Sequence, residues 1–163
     1  MRYGAHCVSF NGCELIAVYN ALLNIGEGRS LYRIIRDAES LKGLVWGIGA
    51  IFGTHPDRLG RLFDLYGVRY VMTKKRGCFG SLLSKRGTYI VSFWTGKRFL
   101  SSIHTVMFTA ESARCIEVYN FNGNKKAAQI IRAAGEMSPL DVLLSIYGKP
   151  IVLYKIIKRD AQV

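Results

Sequence analysis

Residues 11–23 read NGCELIAVYNALL, and this stretch places one cysteine on a turn directly before a continuous apolar segment. After Glu14 only Asn20 is distinctly polar, so no amphipathic stripe is visible and the pattern predicts a helix packed on all sides. A thiol in the first helical turn lies near unpaired backbone N–H groups and the positive end of the helix dipole, which both favour thiolate. Cys13 is therefore a candidate nucleophile. The alternative is a small core residue, the usual role of a cysteine beside a buried helix.

Composition indicates a globular chain with one domain over residues 1–163. Half of the residues are hydrophobic, which excludes a disordered chain. The formal net charge of +12 would attract phosphate backbones, anionic lipid or an acidic peptide. Because lysine and arginine are scattered over nearly every segment and form no single face, nucleic acid is not the expected ligand.

The cysteines and the apolar segments bear on location. The four cysteines show neither a CxxC pair nor the spacing of zinc ligands, and no secretory signal precedes them. They are interpreted as reduced thiols of a cytoplasmic protein, although their even number would permit two disulfides. The longest apolar stretch, residues 43–53, has eleven residues and four glycines and is too short to span a bilayer. No metal and no other cofactor is expected.

The order of predicted elements favours the α+β class. Apolar spacing and capping residues predict helices that open at Ser30, at Thr54 and at Ser138. Segments rich in β-branched and aromatic residues predict strands at 68–72, 88–94, 103–110, 114–120 and 150–157. Since most helices precede most strands, we expect N-terminal helices, including the nucleophile helix, packed on a C-terminal antiparallel sheet.

His104 is the histidine placed most informatively, near the start of a predicted strand. A hairpin centred on residue 112 would set His104 directly opposite Asn120, with Cβ atoms about 5 Å apart. The Asn120 side chain could then accept the proton of one imidazole nitrogen, leaving the other nitrogen to act on a thiol. Asn122 would lie diagonally on the same face, and a bulge would make it the partner instead. A strand-end histidine bound by the backbone is the alternative for His104.

These residues, in this order, resemble the papain-like cysteine peptidases, and most closely the C39-type (bacteriocin leader, double-glycine) peptidases. The matching pieces are NGC…YNAL from residue 11, GTHP from 53, HTV from 104 and VYN from 118. The resemblance implies a papain-like fold. It also implies Cys13 as nucleophile, His104 as general base and then acid, and Asn120 as the orienting group.

Two positions depart from the C39-type pattern and bear on activity more than on fold. Glu14 follows the cysteine where those sequences usually carry glycine, and its negative charge would oppose thiolate formation if it pointed inward. Cys7 stands about where the family keeps a glutamine that donates to the oxyanion. The substitutes considered for that donor are Asn11, Ser9 and His6, together with the backbone N–H of Cys13.

The function expected from this pattern is a thiol hydrolase that cleaves a peptide or amide bond, with a peptide as substrate. The same triad also serves acyl transfer, which is an alternative reaction. A further alternative is a catalytically idle papain-like fold whose basic surface binds an acidic partner or nucleic acid. The sequence gives no indication of the oligomeric state.

Overall fold

The computed structural model describes residues 1–50, 52–83, 86–95, 102–112, 115–120, 128–132 and 138–158. These residues form helices packed against an antiparallel sheet, which confirms the predicted α+β class. The helices are α1 (Val8–Asn11), α2 (Cys13–Asn24), α3 (Leu31–Ser40), α4 (Gly60–Leu65), α5 (Phe79–Leu83) and α6 (Pro139–Tyr147). One-turn 3-10 helices occupy Ile48–Ala50, Pro56–Arg58 and Arg76–Cys78.

The strands form a small hairpin and a large sheet. The hairpin pairs β1 (Arg2–Tyr3) with β2 (His6–Cys7). The large sheet contains β3 (Arg69–Thr73), β4 (Gly87–Thr95), β5 (Ser102–Ser112), β6 (Cys115–Tyr119), β7 (Gln129–Arg132) and β8 (Pro150–Ile157). Its described strands follow the order β3-β8-β4-β5-β6-β7, and every neighbouring pair is antiparallel.

The large sheet separates two apolar cores, because alternate residues of each strand point to opposite faces. On the first face, Ile90 and Met107 pack with α2, α3 and α4. On the second face, Val91 and Val106 pack with α5 and with Leu143 of α6. A residue's position along a strand therefore decides which group of helices it can reach.

Helix α2 lies in the first core, but one side of it is not covered. Leu15, Val18 and Leu22 are fully buried, whereas Leu23 is 49 % exposed. The prediction of a helix packed on all sides is wrong in this respect. The close junction with α1 needs a glycine, because a Cβ at Gly12 would lie 2.7 Å from the Val8 carbonyl oxygen.

Local signals in the sequence place several element ends correctly. The Ser30 side chain accepts a hydrogen bond from the Arg33 N–H at the start of α3, as a helix cap does. The segment after Thr54 is predicted as one helix, yet it forms the 3-10 turn at Pro56–Arg58 followed by α4. Thr54 itself bridges to Val45 and closes a compact loop against the start of α2.

Candidate active site

Cys13 is the first residue of α2, where the prediction placed it, and its side chain is partly buried. Its sulfur donates to the Ile103 carbonyl oxygen of β5 at 3.8 Å. Burial, and after it the negative charge of Glu14, raise the pKa of the Cys13 thiol well above its ordinary value, and the nearby Thr105 N–H offsets only part of this. This direction is opposite to the lowering expected from the helix start, because desolvation of the thiolate outweighs the first-turn N–H groups.

His104 lies in β5 on the face opposite to α2. It pairs with Phe93 of β4 and alternates with Thr105, so its side chain shares the second face with Phe93 and Val106. The His104 Nε2 atom is 2.9 Å from the Asn120 carbonyl oxygen. A carbonyl can only accept, so Nε2 carries the proton in this contact and Nδ1 holds the lone pair of the neutral ring. Between described residues, the thiol and the imidazole share no hydrogen bond.

The predicted register of the hairpin is wrong. Strands β5 and β6 pair Met107 with Tyr119, and extending this register would set Asn120 opposite Val106 instead of His104. The difference is already present next to the turn, where Ser112 pairs with Cys115, a pair whose midpoint lies beyond residue 112, because β5 continues two residues past its predicted end at 110. An irregularity between Ala110 and Ser112 then shifts the pairing by one residue.

Asn120 lies directly after β6, and it meets His104 through its backbone instead of its side chain. Its φ of 62° is in the left-handed region, which asparagine tolerates better than most residues do. Its Nδ2 atom donates to the Thr105 carbonyl at 3.5 Å. The orienting contact to the imidazole is thus made by the Asn120 carbonyl oxygen. Asn122, the alternative partner, lies outside the described residues.

Glu14 points inward and is 2 % exposed. Its Oε1 atom accepts from the Thr105 hydroxyl at 3.3 Å, and that hydroxyl is 2.8 Å from the Ser92 hydroxyl of β4. Burial raises the pKa of the Glu14 carboxyl to about 7, and hydrogen bonds from neighbouring groups oppose the shift. The sequence identifies Glu14 as an unusual residue at this position, but only the packing shows that its side chain points inward.

The residues that could replace the missing glutamine as hydrogen-bond donor to the oxyanion differ in their surroundings. Asn11 is buried, and its amide donates to the Ala50 carbonyl at 2.6 Å and to the Tyr3 carbonyl at 3.4 Å. Its donors therefore hold the N-terminal segment and the 44–55 loop together. His6 packs its ring on Phe10 with centroids 5.5 Å apart. Ser9 hydrogen-bonds Cys7, whose pKa it lowers. Of these candidate oxyanion donors, the backbone N–H of Cys13 lies closest to the sulfur, because both belong to the same residue.

His55 and the cleft described next lie away from Cys13 and His104. His55 stacks on Trp46 at 4.4 Å, and its Nδ1 is 3.2 Å from the Asp57 carboxylate, a structural setting. A cleft of about 730 Å³ lies beside the C-terminal end of α2, next to Asn24 and Thr88, far along the helix from Cys13. Within the described residues, His, Cys, Asp and Glu side chains form no cluster that could hold a metal ion.

Comparisons with models of protein families, with curated protein sequences and with solved structures found no match to this chain. No helix in the described part of the chain has the length and apolar character needed to cross a membrane.

Proposed function

We propose that this chain is a papain-like thiol hydrolase that cleaves a peptide or amide bond through Cys13, His104 and Asn120. One observation supports the proposal most: Cys13 and Asn120 both contact the short segment of β5 that includes His104. The Cys13 thiol binds the Ile103 carbonyl, His104 is part of the segment, and Asn120 contacts both His104 and Thr105. In the described residues β6 pairs with β5 only from Met107 onward, so β6 leaves uncovered the edge of β5 that carries His104, and the proposal requires the imidazole to reach the thiol around this edge.

The chemistry assigns one role to each group. His104 Nδ1 takes the proton of the Cys13 thiol, and the thiolate attacks the substrate carbonyl carbon. The amine then leaves with the proton from His104, and water hydrolyses the thioester that remains on Cys13. The Asn120 carbonyl oxygen holds Nε2–H throughout and stabilises the imidazolium. In the structure the thiol is bound to the Ile103 carbonyl, so this is a resting arrangement that the thiol must leave, while the ring rotates about its Nε2–H bond to Asn120 to bring Nδ1 toward the sulfur.

A peptidyl vinyl sulfone tests this assignment, because it reacts with an activated thiol and needs no known substrate. We expect the His104→Ala protein to react about 10² to 10⁴ times more slowly than the parent at neutral pH, the range for loss of a general base. His55→Ala is the matched control, because it removes an imidazole outside the site and should leave the rate unchanged. A Cys13→Ala protein should not be modified at residue 13. Unchanged reaction of His104→Ala would refute the triad.

A catalytically idle binding domain is the second candidate. The raised pKa of Cys13 and the engagement of the Asn11 amide with backbone carbonyls favour it. Its basic surface would hold an acidic partner or nucleic acid. Fluorescence anisotropy with single-stranded RNA separates the two functions. The hydrolase proposal expects weak binding that salt abolishes, since each neutralised phosphate releases counterion. Submicromolar affinity at physiological salt would support the binding domain.

Acyl transfer is distinguished from hydrolysis at the second step. Once an acyl-enzyme forms, adding a nucleophilic amine at constant pH shows which acceptor the site prefers. Hydrolysis predicts mainly the free acid, whereas a transferase predicts mainly the amide.

A further inference from the structure

Glu14 is a buried carboxyl group next to the nucleophile that the reaction steps above do not use. It follows Cys13 in the first turn of α2, and 2 % of it is exposed. Carboxyl groups are rarely buried to this extent unless they are paired. The groups packed around Glu14 therefore decide what it can do.

The surroundings of Glu14 are polar but neutral. Its Oε1 accepts from the Thr105 hydroxyl, which is linked in turn to Ser92. Its Oε2 has no well-formed hydrogen bond within the described residues, although the Thr54 N–H lies near the carboxylate. A Cβ at Gly53 would lie 3.3 Å from Oε2 and 2.6 Å from the Asn11 carbonyl oxygen, so the absence of a side chain there leaves the carboxylate its space.

Among the residues that the structure describes, the titratable groups that face Glu14 are Cys13 on its own helix and Tyr3 on β1. Glu14 raises the pKa of both, and Tyr3 is held by a 2.9 Å hydrogen bond to Thr54. Strand β5 packs across from Glu14, and the β5 residue that faces Glu14 is Thr105. His104 points to the opposite face of the strand. The contact between Glu14 and Cys13 is thus a direct one between two acids, of which the carboxyl group is buried.

We propose that Glu14 regulates Cys13: it anchors the first turn of α2 to β5 and, while charged, keeps the thiol protonated, so that neutralising Glu14 activates the nucleophile. This inference rests on the proposed function, since it concerns the thiol that carries the reaction. Two adjacent anions in a buried site repel each other strongly, so the thiolate forms readily only when the carboxyl carries a proton.

The test compares the parent with Glu14→Gln, which keeps the shape and loses the charge. The probe is iodoacetamide, and mass spectrometry measures the labelling rate of the peptide that contains Cys13 from pH 5.5 to 9.5. Peptide resolution is needed because Cys7 is exposed and its pKa is lowered. We expect the Glu14→Gln midpoint to fall by at least one pH unit, which is about a ten-fold faster rate at pH 7. Glu27→Gln, which removes the same charge beyond the far end of α2, should match the parent.

A second variant decides the outcome if Glu14→Gln does not fold. Thr105→Val keeps Glu14 but removes the hydroxyl hydrogen bond that favours its charged form. More Glu14 is then neutral at pH 7, and Cys13 should label faster than in the parent, by less than in Glu14→Gln. Labelling in either folded variant that is no faster than in the parent overturns the regulation by Glu14.

Failure of this inference can be told apart from failure of the proposed function. Iodoacetamide labelling reports ionisation of the thiol and requires no substrate, and both proteins compared carry His104. If Glu14→Gln has no effect while His104→Ala abolishes vinyl sulfone reaction, the triad stands and Glu14 is only a structural anchor. If Glu14→Gln accelerates labelling while His104→Ala changes nothing, Glu14 controls a thiol that does not use His104.

Discussion

Asn120 contacts His104 of the candidate site through its backbone. Its left-handed φ turns its carbonyl oxygen toward His104. Asn120→Gly should therefore keep both the fold and the contact, since glycine adopts this conformation without strain. Asn120→Ala should lose about 1 kcal/mol of unfolding free energy, because alanine keeps the Cβ but lacks the polar side chain that lets asparagine tolerate the left-handed region.

Urea unfolding measures this difference, and the vinyl sulfone rate measures the site. Both substitutions remove the side-chain amide. An equal and large fall in rate in the two variants would mean that the amide itself orients the imidazole, as the sequence alone suggested, and would count against the role assigned to the carbonyl.

The buried carboxyl of Glu14 makes stability depend on pH. The pKa of this carboxyl is about 7 in the folded protein, where it is buried, and 4.5 in the unfolded chain, where it is not. Between these two pH values the folded state binds the proton and the unfolded state does not. Stability therefore falls as pH rises from about 4.5 to 7 and levels off above that, by about 3 kcal/mol in total. Glu14→Gln lacks this loss. Urea unfolding at pH 5 and pH 8 should show the variant gaining on the parent at the higher pH, and a constant difference would contradict the burial.

At the scale of single elements, α6 is held at its start by a reciprocal cap. The Ser138 hydroxyl accepts from the Asp141 N–H at 3.2 Å, and the Asp141 carboxylate accepts from the Ser138 N–H at 3.1 Å. Ser138→Ala should cost about 1 kcal/mol of unfolding free energy. Ser145→Ala is the control on the same helix, because Ser145 is exposed and, among the described residues, its hydroxyl bonds only the Val142 carbonyl of the preceding turn. Its effect should stay within about 0.5 kcal/mol. Equal effects of the two changes in thermal unfolding would argue against the cap.

The elements also show what the sequence could predict. Strand β8 occupies the predicted residues 150–157, and α6 opens at the predicted serine, because alternation and capping are local signals. The β1–β2 hairpin, α1 and β7 were not predicted. Each of these helices and strands has four residues or fewer, too few to show the repeat of apolar residues that identifies a helix or a strand. The β5–β6 register failed for a different reason, since β5 continues to Ser112, past its predicted end at 110, and only pairing across the strands decides where the turn begins.

At the scale of the whole molecule, the order of motifs along the chain brings the three predicted site residues to one end of β5. Which way their side chains point follows from packing that no local pattern encodes. His104 shares a face with Phe93 because the core behind β4 fixes the strand, and Glu14 turns inward because the 44–55 loop leaves a polar space beside Gly53. The location of the candidate site was predictable from sequence, whereas its protonation and hydrogen bonds were not.

The strand order has a consequence for how the chain folds during synthesis. β8 is the last of the described strands to be made, yet it lies between β3 and β4. Until it emerges from the ribosome, both neighbours expose an unpaired edge, and β3 has no partner among the described strands. Closing β3 onto β8 also joins residues about eighty positions apart, which slows folding through the entropy of loop closure. We therefore expect the nascent chain to expose these two unpaired edges until β8 is made, and the pairing of β3 with the rest of the described sheet to be completed last.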